Sequence, residues 1–176
     1  KVTPGPTVVS LPASQNQTAM PVYVTVGDGL EPLVRTSLTA ITERVYEVDD
    51  EGQIQLDVPR HGGGVHPGAA FGSRKNTVWI GGHVALRSEI GHFAGLLAAK
   101  PGDPVIGCNS NQQCYRYTVS SASRWETETF RKALRSWKPA GTLILYTCTR
   151  DLKAYWVVMA SLTDGPFDRS ALNMGG

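Results

Sequence analysis

Two side chains in this sequence can do chemistry together, a thiol and an imidazole. Cys148 closes the run Leu143-Ile144-Leu145-Tyr146-Thr147. Such a run reads as a buried strand, so the thiol is expected at a strand end, on the rim of a sheet where a substrate can reach it. Arg150 follows two residues later, and a neighbouring cation favours thiolate over thiol. His83 follows Thr77-Val78-Trp79-Ile80 and the pair Gly81-Gly82. Two glycines remove bulk beside the imidazole and let another chain come close. Imidazole titrates near neutrality and can act as acid–base partner to a sulfur nucleophile. Each residue alone also has a plain structural reading, since a free Cys is most often buried packing and a strand-end His most often a hydrogen-bonded one. Two strand ends of one sheet carrying this pair shift the balance toward nucleophilic acyl chemistry.

Other chemistries find less support. The order is His before Cys, the reverse of papain-like proteases. Neither Gly-x-Ser-x-Gly nor Ser-x-x-Lys occurs. Gly62-Gly63-Gly64 lacks the Gly-Lys-[Ser/Thr] ending of a phosphate cradle and is expected to be plain loop. His61 and His66 share a loop without a nearby Cys, a weak metal pattern. Asp49-Asp50-Glu51 reads as a solvated turn more than as a cation site. Trp125 and Trp137 read as core or groove-edge residues. No cofactor is expected.

The elements that must position the pair are mostly strands. Val22–Val26 is β-branched and aromatic and stops at Gly27-Asp28-Gly29. Further β signals run from Leu33 to Val48, through Ile54, Leu56 and Val58 to Pro59, and over Thr77–Ile80. Residues 60–73 read as loop. Ile90, Phe93, Ala94 and Leu97 keep helical spacing before Pro101-Gly102-Asp103, and Trp125, Thr129, Ala133 and Trp137 fit a second helical face. Residues 104–108 and 114–120 read as a hairpin, and 142–148 and 155–162 as two strands joined by a short charged loop. About eight strands and two short helices predict an all-β, closed or nearly closed barrel. The expected organisation is an arm or linker at 1–20, a barrel at 21–164 and a polar tail at 165–176.

Composition agrees with one globular domain. The chain has 176 residues, 41% of them apolar and 18% charged. Seventeen Lys and Arg against fifteen Asp and Glu leave +2, with no basic block, so charge gives no support to nucleic-acid or membrane-surface binding. No run of 18 apolar residues occurs. The chain starts at Lys1 without Met and is expected to be a trimmed piece, with any targeting segment or membrane anchor upstream.

Three cysteines divide as two plus one. Cys108 and Cys114 flank Asn-Ser-Asn-Gln-Gln, a spacing that suits the tip of a hairpin, where opposed side chains come close enough for a disulfide. Two free thiols are the alternative.

Several segments together resemble the sortases, the cysteine transpeptidases of Gram-positive cell surfaces. Thr77-Val78-Trp79-Ile80-Gly81-Gly82-His83 is similar to that family's strand–Gly–His element, and Ile144-Leu145-Tyr146-Thr147-Cys148 to its Thr-Leu-x-Thr-Cys. Leu56-Asp57-Val58-Pro59 and the stretch from Phe93 to Pro101-Gly102-Asp103 stand in the same order. The resemblance covers residues 20–162 and leaves the class open. It implies an eight-stranded barrel in which Cys148 attacks the Thr–Gly carbonyl of a Leu-Pro/Ala-x-Thr-Gly-like sorting signal and forms a thioacyl enzyme. An amine of a peptidoglycan precursor or a pilin then resolves that intermediate. His83 would protonate the departing amine and deprotonate the incoming one, and Thr147 would help position substrate. The implied partners are surface proteins with a C-terminal sorting signal, handled by a monomer on the outer face of the plasma membrane, where a disulfide persists.

One departure stands out. The family carries an Arg on the strand after the Cys, and here Ala154 or Tyr155 occupies that position. Arg150 is the expected substrate-facing cation, with Lys153 as substitute and Tyr155 as a further substrate contact. The missing Arg also leaves room for a rival, a barrel that binds peptide with weak or no turnover. A Cys–His hydrolase using water as acceptor is a third option.

Overall fold

The computed structural model describes residues 19–41, 47–48, 54–55, 58–68, 70–86 and 89–172. The expected arm at 1–20 falls almost wholly outside them, as do residues 49–53 with the acidic turn. Twelve strands are present among the described residues: β1 (Pro21–Val26), β2 (Val34–Ala40), β3 (Glu47–Val48), β4 (Ile54–Gln55), β5 (Gly63–Val65), β6 (Val78–Gly82), β7 (Ala85–Leu86), β8 (Glu89–Ile90), β9 (Pro104–Asn109), β10 (Gln113–Glu126), β11 (Thr142–Cys148) and β12 (Ala154–Asp168). Eight of them close a barrel in the order β1-β2-β5-β6-β11-β12-β10-β9, while β3–β4 and β7–β8 form separate two-stranded pairs. The expected closed all-β barrel is therefore the observed architecture.

Side-chain alternation sorts the two cores. Val24, Val26, Val34, Leu38, Val78, Ile80, Leu143, Leu145 and Val158 fill the barrel interior. Trp79, Ile144, Tyr146 and Val157 point the other way and pack with Phe130 and Leu134 in a second cluster outside it. Successive strand residues face opposite sides, so one pair of strands serves both cores. The outer cluster is covered by the helix α1 (Thr127–Ser136), whose buried residues are Phe130 and Leu134. The face expected from Trp125, Thr129, Ala133 and Trp137 is thus rotated by one residue. Trp125 belongs to the end of β10 and packs at a tilt against Trp137, 5.8 Å between ring centroids, so that the residues flanking α1 meet.

Three further differences have physical reasons. The glycine run expected as loop contains β5. A Cβ at Gly63 would meet Leu38 and Phe93 at 2.8 and 2.9 Å, and one at Gly64 would meet Ile41 at 2.5 Å. The glycines there let large side chains lie directly on the strand. The helix expected near residues 90–97 is a strand pair followed by a 3-10 turn at Ala94–Ala98. Its apolar spacing instead buries Phe93 and Leu96 in the barrel mouth. The last strand runs beyond residue 164, because Phe167 and Asp168 pair with Cys114 and Gln113. The barrel wall therefore extends into the expected tail.

Candidate active site

β6 and β11 are adjacent and parallel, with Leu143 level with Val78, Ile144 with Trp79, Leu145 with Ile80 and Tyr146 with Gly81. The same offset carried two residues further sets Thr147 level with Gly82 and Cys148 level with His83. Parallel neighbours lie about 4.8 Å apart, and residues in register share a face. Trp79 and Tyr146 mark that face as the outer one, so two steps on from Tyr146 the Cys148 side chain emerges on the outside of the barrel rim. The register thus carries the two sequence candidates to neighbouring strand ends.

Backbone contacts fix His83. The His83 ring Nε2 lies 3.0 Å from the Val58 carbonyl oxygen. A carbonyl only accepts, so Nε2 carries the hydrogen and Nδ1 is left as the basic nitrogen of the neutral ring. Behind the ring the chain turns back over itself. The Gly91 N–H donates to the Val84 carbonyl at 3.0 Å, and the Phe93 N–H donates to the His83 carbonyl at 3.1 Å. Gly91 fits only as glycine, because a Cβ would stand 2.0 Å from the His83 oxygen.

Cys148 is half-buried and is the one free cysteine among the described residues. Burial pushes its thiol above the ordinary value, and no cation offsets the shift. Arg150 is exposed on the turn after β11. The thiolate-favouring effect expected of it is absent, because burial is what governs the thiol. The turn itself is well tied. The Thr149 hydroxyl donates to Asp151, the Lys153 N–H donates to the same carboxylate at 3.1 Å, and Arg124 pairs with it at 3.3 Å. These contacts, the Thr149 hydroxyl foremost, hold the exposed Asp151 carboxyl down at about 2. Lys153 is exposed, and its carbonyl accepts from the Thr127 hydroxyl at 3.0 Å, joining the turn to the start of α1.

Thr147 and Tyr155 part company. Thr147 sits one residue before Cys148, pairs with Trp156 and is 1% exposed. Alternation aims its side chain at the barrel interior, away from the face that carries Cys148. Tyr155 is the direct cross-strand partner of Cys148. Its ring stacks on Phe130 at 3.8 Å between centroids. Burial and the neighbouring thiol push its phenol up, and the Arg131 guanidinium pulls it back.

Arg131 was not singled out from sequence. It follows Phe130, the residue that faces the sheet, so the true apolar face of α1 would have placed it beside Tyr155. Tyr146 also takes an unexpected part. Its hydroxyl lies 2.6 Å from Nε2 of the buried His66. Its ring covers Gly81, where a Cβ would lie 2.3 Å from it. Burial lowers the His66 pKa to about 4, so this imidazole is neutral at pH 7. His61 is exposed, and among the described residues no group of three or more His, Cys, Asp or Glu could hold a metal ion. Cys108 and Cys114 pair across β9 and β10 and form a disulfide at the hairpin tip, away from this chemistry.

The family model described as Sortase domain matches residues 36–163. No curated protein matches the sequence significantly. Among solved structures, sortase A from Corynebacterium diphtheriae, a lid mutant, is similar at a TM-score of 0.59 with 18% identity, covering 85% of this chain and 74% of that one. Sortase E1 from Streptomyces coelicolor, with a tripeptide in its active site, gives 0.60 with 14% identity over 88% and 94%. Sortase C1 from Streptococcus agalactiae gives 0.58 with 18% identity over 87% and 72%. At these identities the structures speak for the barrel alone. The sequence match, spanning most of the chain with His83 and Cys148 inside it, shows that the chain belongs to the sortase family.

Proposed function

We propose that the protein is an active transpeptidase in which Cys148 is the nucleophile and His83 the acid–base group. The observation that supports this reading is the parallel register of β6 and β11, whose offset carried past the last pair puts His83 level with Cys148. The substrate is a Leu-Pro/Ala-x-Thr-Gly-like sorting signal on a surface protein. The Cys148 sulfur adds to the Thr carbonyl carbon as its proton passes to His83. The tetrahedral adduct collapses, the Thr–Gly bond breaks, and His83 returns the proton to the departing Gly amine. An amine of a peptidoglycan precursor or a pilin then attacks the thioester, His83 takes its proton, and the regenerated thiol receives it. Burial keeps the Cys148 thiol protonated before attack, so the proton that leaves it with the sulfur's addition needs an acceptor at the site. The family assignment favours the outer face of the plasma membrane as the place of work.

The substrate-facing cation is proposed to be Arg150, with Lys153 as substitute. Both sit on the turn that follows Cys148, while Arg131 approaches the same rim through Tyr155. Comparing turnover in Arg150→Ala, Lys153→Ala and Arg131→Ala ranks the three. Normal turnover in Arg150→Ala beside a dead Lys153→Ala or Arg131→Ala reassigns the role. Tyr155, directly across from the thiol, is proposed to contact substrate. Thr147 is proposed to shape the rim from within, its backbone rather than its side chain sharing the substrate face.

The raised thiol favours a second reading, a barrel that binds peptide with little turnover. Mixing the protein, a Leu-Pro-x-Thr-Gly or Leu-Ala-x-Thr-Gly peptide and an amine separates the readings. Transpeptidation predicts an amine-dependent product that Cys148→Ala does not form. Hydrolysis predicts the acid with or without amine, and a binding domain predicts retention of intact peptide.

A further inference from the structure

A cleft of about 420 Å³ opens on the same outer face, toward the start of β6. Its lining includes Trp79 of β6 and Thr77 just before it, Arg135 of α1, and Lys75 and Lys138 from the flanking loops. No Asp or Glu belongs to that lining. The three cations are exposed, and the ion pairs found among the described residues all involve Arg124, so none of the three is neutralised. The whole chain carries a net charge of only +2, so this cleft gathers more positive charge than the entire sequence has in surplus. Trp79 forms part of the floor at 6% exposure, and its indole N–H has no hydrogen-bond partner.

Trp79 on β6 is four residues before His83, or about 13 Å at the rise of a strand. An extended peptide advances at a similar rate, about 3.3–3.6 Å per residue. A substrate whose Thr carbonyl stands at Cys148 and whose chain runs toward the start of β6, over the buried Tyr146 ring that covers Gly81, therefore brings the residues just upstream of its Leu level with the cleft. The cleft lies inward along the strands, away from the open rim. The part of the substrate that stays bound as the thioester fits that side, while the leaving amine and its replacement need the side open to solvent.

The geometry points to Lys75, Arg135 and Lys138 as a recognition site for carboxylates in the segment immediately upstream of the sorting signal, which makes the preferred substrate a surface protein with an acidic approach to that signal. This inference rests on the transpeptidase reading and deepens it. Exposed cations in an open cleft act at short range and are screened by salt.

Three peptides test it, each with the same sorting signal preceded by Glu-Glu, Gly-Ser or Lys-Lys. The expected kcat/KM order is Glu-Glu over Gly-Ser over Lys-Lys. The expected spread is about tenfold at low salt, carried by KM and shrinking as salt rises. Charge reversal in Arg135→Glu with Lys138→Glu is expected to invert the order, with the far-ultraviolet circular dichroism of the fold retained. Equal kcat/KM for all three peptides overturns the inference and leaves the transpeptidase reading standing. If no peptide is cleaved, that reading fails. Fluorescence anisotropy of the same labelled peptides on Cys148→Ala protein then decides the cleft by itself. Tighter binding of the Glu-Glu peptide supports the inference, and equal binding overturns it.

Discussion

β6 and β11 run parallel and in register from Val78 and Leu143 to Gly81 and Tyr146, and the same offset carried two residues further puts His83, the first residue after β6, level with Cys148, the last of β11. Contacts from Val58 and Phe93 hold His83 just past the end of its strand. Whatever holds the β6–β11 ladder in register also sets where the sulfur and the imidazole stand, which is why the site can be tested through residues that never touch substrate.

Gly91 is the first such residue. Its Cα packs against the His83 carbonyl, and the crowding partner is backbone, which cannot swing aside. Gly91→Ala is expected to displace His83 by a fraction of an ångström to an ångström. The expected cost is about 10²-fold in kcat and about 1–3 kcal/mol in stability. Steady-state kinetics with a thermal melt checks both. An unchanged kcat would show that His83 need not sit where it does.

Cys148 should behave as a buried, neutral thiol. Its pKa lies above the ordinary 9.0 of the model thiol, so its rate of alkylation by iodoacetamide is expected to keep climbing beyond pH 9 instead of levelling near neutrality. Unreduced protein is expected to take up one label, because Cys108 and Cys114 are joined. Mass spectrometry after labelling across a pH series reads both outcomes.

His66 makes stability depend on acid. Its folded-state value, about 4, lies below the 6.5 of the free group, so the unfolded chain takes up the proton first. Stability is therefore full above pH 6.5, falls as the pH drops from 6.5 toward 4, and levels off below. The expected loss is up to about 3 kcal/mol. Urea melts at a series of pH values measure it, and His66→Asn is expected to flatten the slope across that window.

Phe130 links the helix to the site. It is 1% exposed and stacks on Tyr155, the cross-strand neighbour of Cys148. Phe130→Ala is expected to cost about 3–5 kcal/mol. It should also raise KM by freeing the Tyr155 ring. Thermal melts and peptide kinetics at a temperature where the variant stays folded separate the two effects.

The strands that carry the pair were legible because they are short, apolar and end in residues of a different kind: Val78–Ile80 before Gly81-Gly82-His83, and Leu143–Tyr146 before Thr147-Cys148. Their adjacency was not legible, since parallel pairing leaves no local signature. β5 was not legible. Gly63 and Gly64 carry no strand propensity, and only the bulk of Phe93, Leu38 and Ile41 arriving from elsewhere makes a strand there. The apolar face of α1 was misjudged by one residue because Trp125 and Trp137 look like helical partners while they cap its two ends. That rotation hid Arg131. The influence assigned to Arg150 failed for a related reason. Nearness in sequence says nothing of exposure, and the thiol answers to burial.

The central claim is that Cys148 becomes covalently attached to the retained part of a sorting-signal peptide. Intact-mass measurement after mixing the protein with a Leu-Ala-x-Thr-Gly or Leu-Pro-x-Thr-Gly peptide, without amine and quenched in acid, tests this directly. The predicted result is a protein heavier by the acyl fragment ending in Thr, mapped to Cys148, absent in Cys148→Ala and discharged by hydroxylamine. Peptide cleavage with the protein mass unchanged at every time point, and unaltered by Cys148→Ala, would contradict the account.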